Sequence, residues 1–118
     1  MDASKLTQKS LQAIQNAQNI ALEYGNAELT TLHLCHALLE KDGIVFRILT
    51  RAGTDAEGLF HEVNDRIKRL PQVSGGSGAY PSGALTATMN EAEKLAAGMK
   101  DEYVSVEHLF LCIFDHVE

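Results

Sequence analysis

One stretch of the sequence occurs twice, and that repeat limits the possible folds more than any other feature. Leu29-Thr30-Thr31-Leu32-His33-Leu34-Cys35-His36-Ala37-Leu38-Leu39 returns as Val104-Ser105-Val106-Glu107-His108-Leu109-Phe110-Leu111-Cys112-Ile113-Phe114. His33 and His108 lie 75 positions apart, and at that offset the two stretches align without a gap. Each starts with an apolar residue and a hydroxyl side chain, Thr30 or Ser105, before an apolar run, which is how a helix N-terminus reads. Leu29 and Val104 stand where a hydrophobic staple would set them against Leu34 and Leu109. The same offset pairs Ala17 with Ala92, Ile20 with Leu95 and Ala21 with Ala96. These matches predict an all-α fold of two pseudo-two-fold-related helical repeats.

Helix signals fill in the rest. Thr7 caps a first helix whose small or apolar stripe runs through Ser10, Ala13, Ile14, Ala17, Ile20, Ala21 and Tyr24, and Gly25 ends it. A second helix is expected over about Thr30 to Glu40 and a third over about Ile44 to Arg51, with Gly53 as its stop. Thr54-Asp55-Ala56-Glu57 has the spacing of a capping box, so a fourth helix should open at Thr54 and stop before Pro71. A fifth helix begins near Ser82, and Ser105 caps a sixth. The domain is thus a single unit over 1–118: repeat one spans about 6–70, a Gly/Ser-rich linker 71–81, and repeat two about 82–118. Repeat two is expected to be truncated, because the counterparts of helices three and four have no matching sequence before Glu118.

Composition narrows the function. A net charge of −6, with no Lys/Arg cluster, makes the chain a poor candidate for a phosphate backbone, so nucleic acid is not expected as a partner, and neither is a membrane. No apolar run approaches the roughly 20 residues that cross a bilayer, and Met1-Asp2-Ala3-Ser4-Lys5 opens no secretory signal. Cys35 and Cys112 sit within apolar runs and read as buried free thiols of a reducing compartment, the cytoplasm or an organelle.

Candidates for chemistry are few. The sequence contains no nucleophile-elbow, zinc-protease or phosphate-loop motif, so the chain is not expected to be an enzyme. Cys35 and His36 are adjacent on a helix and point about 100° apart, which does not make a nucleophile pair. His33 with His36, and Cys112 with His116, have the spacing of metal ligands on two helices. The repetition of His33 as His108, three residues after each cap, is instead what local bonding at a helix turn would require, and no metal is expected. Asp101, Glu102 and Glu107 gather at the junction of helices five and six, where Glu107 complements a helix N-terminus. Beside an apolar groove such carboxylates would also attract basic-apolar peptide segments.

Several of these stretches resemble the N-terminal double-repeat domain of the Clp AAA+ unfoldases. The pattern is Leu6-Thr7, an Ala-rich helix, and Thr31-Leu32-His33-Leu34 with Ala37-Leu38-Leu39, repeated with Glu107-His108-Leu109. Arg69-Leu70-Pro71-Gln72-Val73-Ser74-Gly75 and Asp101-Glu102-Tyr103-Val104-Ser105-Val106-Glu107-His108-Leu109 are most similar to the ClpB-type disaggregase branch. The resemblance implies a non-catalytic domain that recruits unfolded or aggregated polypeptide for transfer to a homohexameric ATP-hydrolysing ring. The alternative it carries is an adaptor-docking domain of a protease-linked unfoldase. It implies Thr7, Asp101 and Glu107 as substrate-binding residues, and a groove with Met89 and Leu95; helical spacing adds Leu85 and Phe110. ATP and Mg²⁺ would belong to the ring modules, with no cofactor in this domain, which by itself would be a monomer.

Overall fold

A computed structural model describes residues 3–73 and 79–115. Ser74 to Gly78 of the linker, and His116 and Val117 at the end, lie outside the described residues. After a short 3-10 turn over Ala3–Lys5, the described residues form six α-helices: α1 (Gln8–Glu23), α2 (Thr31–Leu38), α3 (Ile44–Arg51), α4 (Ala56–Lys68), α5 (Gly83–Gly98) and α6 (Val106–Ile113). Two strands of two residues each, β1 (Glu28–Leu29) and β2 (Tyr80–Pro81), pair in parallel just before α2 and α5. The stretch read as linker therefore ends in ordered backbone.

The expected internal two-fold is visible in the backbone. Leu6, just ahead of α1, bridges Val104, ahead of α6, while Leu29 pairs with Pro81. Leu6 and Pro81 are equivalents at the repeat offset, as are Leu29 and Val104, so each repeat lends one lead-in segment to the other. Equivalent hydrogen bonds follow: Thr7 N–H donates to the Val104 carbonyl at 3.1 Å, and Ser82 N–H to that of Leu29 at 2.9 Å. Within the repeats α1 packs on α2 and α5 on α6; α2 and α6 meet between them. Helices approach closely because their contact stripe is alanine: Ala17, Ala21, Ala92 and Ala96 are all buried. Leu34 and Leu109, the paired staple residues, lie at its centre.

Capping explains the boundaries. Thr7 Oγ1 accepts from Ser10 N–H and Ser82 Oγ from Leu85 N–H, both at 3.1 Å. Helices α1 and α5 end in the same motif. Asn26 N–H reaches the Ala21 carbonyl and Asp101 N–H that of Ala96, both at 2.9 Å, across left-handed Gly25 (φ 67°) and Lys100 (φ 61°). Helix α4 corrects one expectation. Its cap is Asp55, whose Oδ1 accepts from Gly58 N–H at 3.0 Å, and Thr54 serves instead in the turn that closes α3. A carboxylate is as good a cap as a hydroxyl and adds charge at the helix N-terminus, so the one-residue-later start wins.

Candidate functional site

The repeated histidines are structural, and their partners were not foreseen. His33 Nδ1 accepts the Thr30 backbone N–H at 2.9 Å, and His108 Nδ1 accepts that of Ser105 at 2.9 Å, each closing a capping box with an imidazole in the place of the usual Glu or Gln. With Nδ1 accepting, the other ring nitrogen carries the proton in the neutral ring. Nε2–H of His33 then donates to Asn26 Oδ1 at 2.8 Å, and that of His108 to Asp101 Oδ2 at 2.9 Å. Asn26 and Asp101 are themselves repeat equivalents, directly after the left-handed residue of each junction. Asp101 thus orients a histidine, with its side chain still about half exposed. Burial, with a smaller contribution from His36, pulls the His33 pKa down to about 4.

Thr7 is occupied in the same manner. Its hydroxyl accepts from Ser10 N–H and donates to Ser10 Oγ, which in turn donates to the Val104 carbonyl at 2.9 Å. It ties the start of α1 to the lead-in of α6, next to the Lys5–Glu93 ion pair at 2.8 Å.

The apolar residues singled out in the sequence fall in three places. Leu85 and Met89 line a recess of about 280 Å³ between the repeats, facing Leu11 and Ile14 of α1. Leu95 is half-buried against the core. Phe110 lines a cleft of about 200 Å³ between α3 and α6 together with Ile48, Leu49 and Leu111, and Glu107 stands at that cleft. Glu107, at the second position of α6, is therefore the acidic residue placed against an apolar hollow; Asp101 points into its own junction.

Equivalent positions in the two repeats differ sharply in exposure. Leu39 at the end of α2 is 1% exposed, whereas its counterpart Phe114 at the end of α6 is 51% exposed. His36 lies under the Phe60 ring of α4 at 4.6 Å, whereas its counterpart Leu111 is 63% exposed. In repeat one α4 covers this face; among the described residues nothing equivalent covers it in repeat two. Phe110 and Phe114 stack edge-on at 5.2 Å, which holds the bare face in shape. Ile48 of α3, 51% exposed, extends it. Leu111, Phe114 and Ile48 were absent from the sequence candidates. The offset of 75 would have found the first two, by setting them against positions that a later helix covers.

Both cysteines are buried free thiols. Burial pushes Cys35 up to about 12 and also raises Cys112, to which Glu91 and Asp115 add. Neither is a nucleophile at neutral pH. Among the described residues no group of three or more His, Cys, Asp or Glu side chains gathers closely enough to hold a metal ion, and no helix is long and apolar enough to cross a membrane.

Comparison with known proteins agrees with this architecture. ClpB chaperones of Nitratidesulfovibrio vulgaris and Bacillus anthracis are 38% and 39% identical over 120 and 117 residues, covering 98% and 94% of this chain. The chain spans only 14% and 13% of those relatives' own length. The Hsp104 N-terminal domain from Candida albicans superposes with a TM-score of 0.87 at 22% identity, over 95% of this chain and 75% of that one. The family model for the Clp repeat (R) N-terminal domain matches residues 5–118, and the chain belongs to that family.

Proposed function

We propose that this chain is the substrate-recruiting domain of an ATP-dependent, cytoplasmic protein disaggregase, holding unfolded or aggregated polypeptide on the exposed face of α6 for transfer to a hexameric ring. The observation that carries this reading is the apolar face of Leu111 and Phe114, exposed among the described residues, with Phe110 half-buried beside them, continued by Ile48 and edged by Glu107. An apolar surface with a carboxylate at its margin favours segments that mix apolar and basic residues. Fully burying a Leu or Phe side chain is worth about 1.5–3 kcal/mol. Leu111 and Phe114 are already part covered, and ordering a flexible chain offsets much of the remainder. Binding is therefore weak, as suits a first step that must release its cargo. ATP hydrolysis and Mg²⁺ belong to the ring, and this domain performs no chemistry on its substrate.

The test is anisotropy titration of the 118-residue chain against a fluorescein-labelled, permanently unfolded model protein. Leu111→Ser/Phe114→Ser and, separately, Glu107→Gln should each weaken binding several-fold while the helical circular dichroism is kept. A Glu107→Gln chain that binds like the parent removes the acidic margin from the site. Indifference to unfolded protein, with a saturable one-to-one complex with one folded partner, would favour adaptor docking instead.

A further inference from the structure

The face left open on α6 has a roofed counterpart in repeat one. The floor of that recess is Ile20, His36 and Leu39, whose repeat equivalents are Leu95, Leu111 and Phe114. Phe46 of α3 and Phe60 of α4 stand over it, leaving a recess of about 360 Å³. Small-ligand pockets start at about 300 Å³, so the space takes one or two side chains of a short extended segment rather than the surface of a folded protein. Its interior is mostly apolar, and Glu40 and Glu57 stand at its margin against the single cation Lys41. The nearest partner of Glu57 is His61, at 3.9 Å, which is too long to hold the carboxylate in one place.

We propose that this recess is a second peptide-binding site, taking an apolar side chain next to a lysine or arginine. The apolar side chain enters beneath Phe60, and the cation meets Glu40 and Glu57. The two sites share the repeat positions of Leu111 and Phe114, but the one in repeat one is narrowed by α3 and α4 to a single-segment slot. Burial lowers the pKa of His36, so the slot contains a neutral imidazole at pH 7, and the carboxylates outnumber the ammonium.

The test uses the whole chain and an acetylated, amidated hexapeptide of alternating leucine and arginine. Histidine ring Cε1–H signals are followed by NMR. His36 and His61 line the recess, while His33 and His108, locked in their capping boxes, serve as internal references. The expected result is a saturable movement of the His36 and His61 signals. Glu40→Gln/Glu57→Gln should weaken it about three- to ten-fold, and a leucine–glutamate hexapeptide should not produce it. Leu111→Ser/Phe114→Ser, which disables the open face, should leave it unchanged. The proposal is overturned if the His36 and His61 signals stay still at millimolar peptide, if the acidic peptide binds as well, or if the α6 variant abolishes the movement. Failure here leaves the unfolded-protein titration of the α6 face unaffected, so the two readings stand or fall separately.

Discussion

Replacing His33 with glutamine should flatten the acid side of the stability profile. His33 is fully buried, and burial, helped by His36, lowers its pKa from 6.5 to about 4. The unfolded chain takes up this proton at the ordinary pKa, so between those two values the unfolded state holds more protons than the folded one. The contribution of the neutral ring is therefore complete above pH 6.5 and is lost as pH falls toward 4. Worked from those two pKa values, stability should drop by about 2 kcal/mol between pH ~7.5 and ~5, and by about 3 kcal/mol by pH ~4. Glutamine is the ordinary residue at this position of a capping box, so it keeps an acceptor for the Thr30 N–H without a titrating group. It loses the Asn26 hydrogen bond and some ring packing, a cost of about 1–2 kcal/mol at neutral pH. His36, on the same helix, is also lowered by burial; its titration persists in the variant and cancels in the comparison. Urea unfolding followed by circular dichroism at several pH values reads the effect as a midpoint shift of roughly 1 M between the ends of the window, since the urea slope is about 1–3 kcal/mol/M. Equal pH slopes for parent and His33→Gln would refute the argument that this ring is buried neutral.

Other substitutions test the fold at single points. Lys100 holds a left-handed conformation (φ 61°) where repeat one has Gly25, so Lys100→Gly should stabilise the domain by about 1 kcal/mol, read as a thermal midpoint higher by several degrees. Asp55→Ala should cost about 0.5–2 kcal/mol by removing the α4 cap, while Thr54→Ala should stay within about 0.5 kcal/mol; a reversed order in denaturation midpoints would return the cap to Thr54.

Much of the fold was legible because helix ends are written in short-range chemistry. Thr7, Thr30 and Ser105 each cap as read, the fifth helix is capped by Ser82, where its start was expected, and Gly25 and Gly53 each take a left-handed conformation after a helix. Thr54 misled because two adjacent side chains, Thr54 and Asp55, can both cap, and spacing alone does not rank them. The partners of the histidines were hidden for another reason. Asn26 and Asp101 lie seven residues before their histidines, across a turn whose geometry depends on the left-handed residues Gly25 and Lys100. Only the offset between repeats joins these residues in sequence. The acidic cluster looked like one feature because its members are near in sequence. Folding separates them: Asp101 turns to His108, and Glu107 faces the α3–α6 cleft. Met89, implied by the resemblance, and Phe110, added on helical spacing, were assigned to one groove but are parted by packing, since one faces α1 and the other α3.

The internal two-fold also explains why function should concentrate where the repeats differ. The shared positions that build the junctions, Leu6 with Val104 and Leu29 with Pro81, satisfy backbone groups across the symmetry axis. Leu6, Leu29 and Val104 are buried there and Thr7 ties α1 to the lead-in of α6, while His33 and His108 each close the junction within their own repeat. Positions equivalent in sequence but unequal in cover are under no such constraint. Leu39 must fit beneath its own repeat, whereas Phe114, at the matching place, projects half exposed. A large aromatic at a helix end that none of the described residues covers adds nothing to capping and leaves apolar surface open to contact. The proposed function places a segment of the unfolded substrate there, and α3, lying beside α6, supplies Ile48 and the cleft that completes the surface.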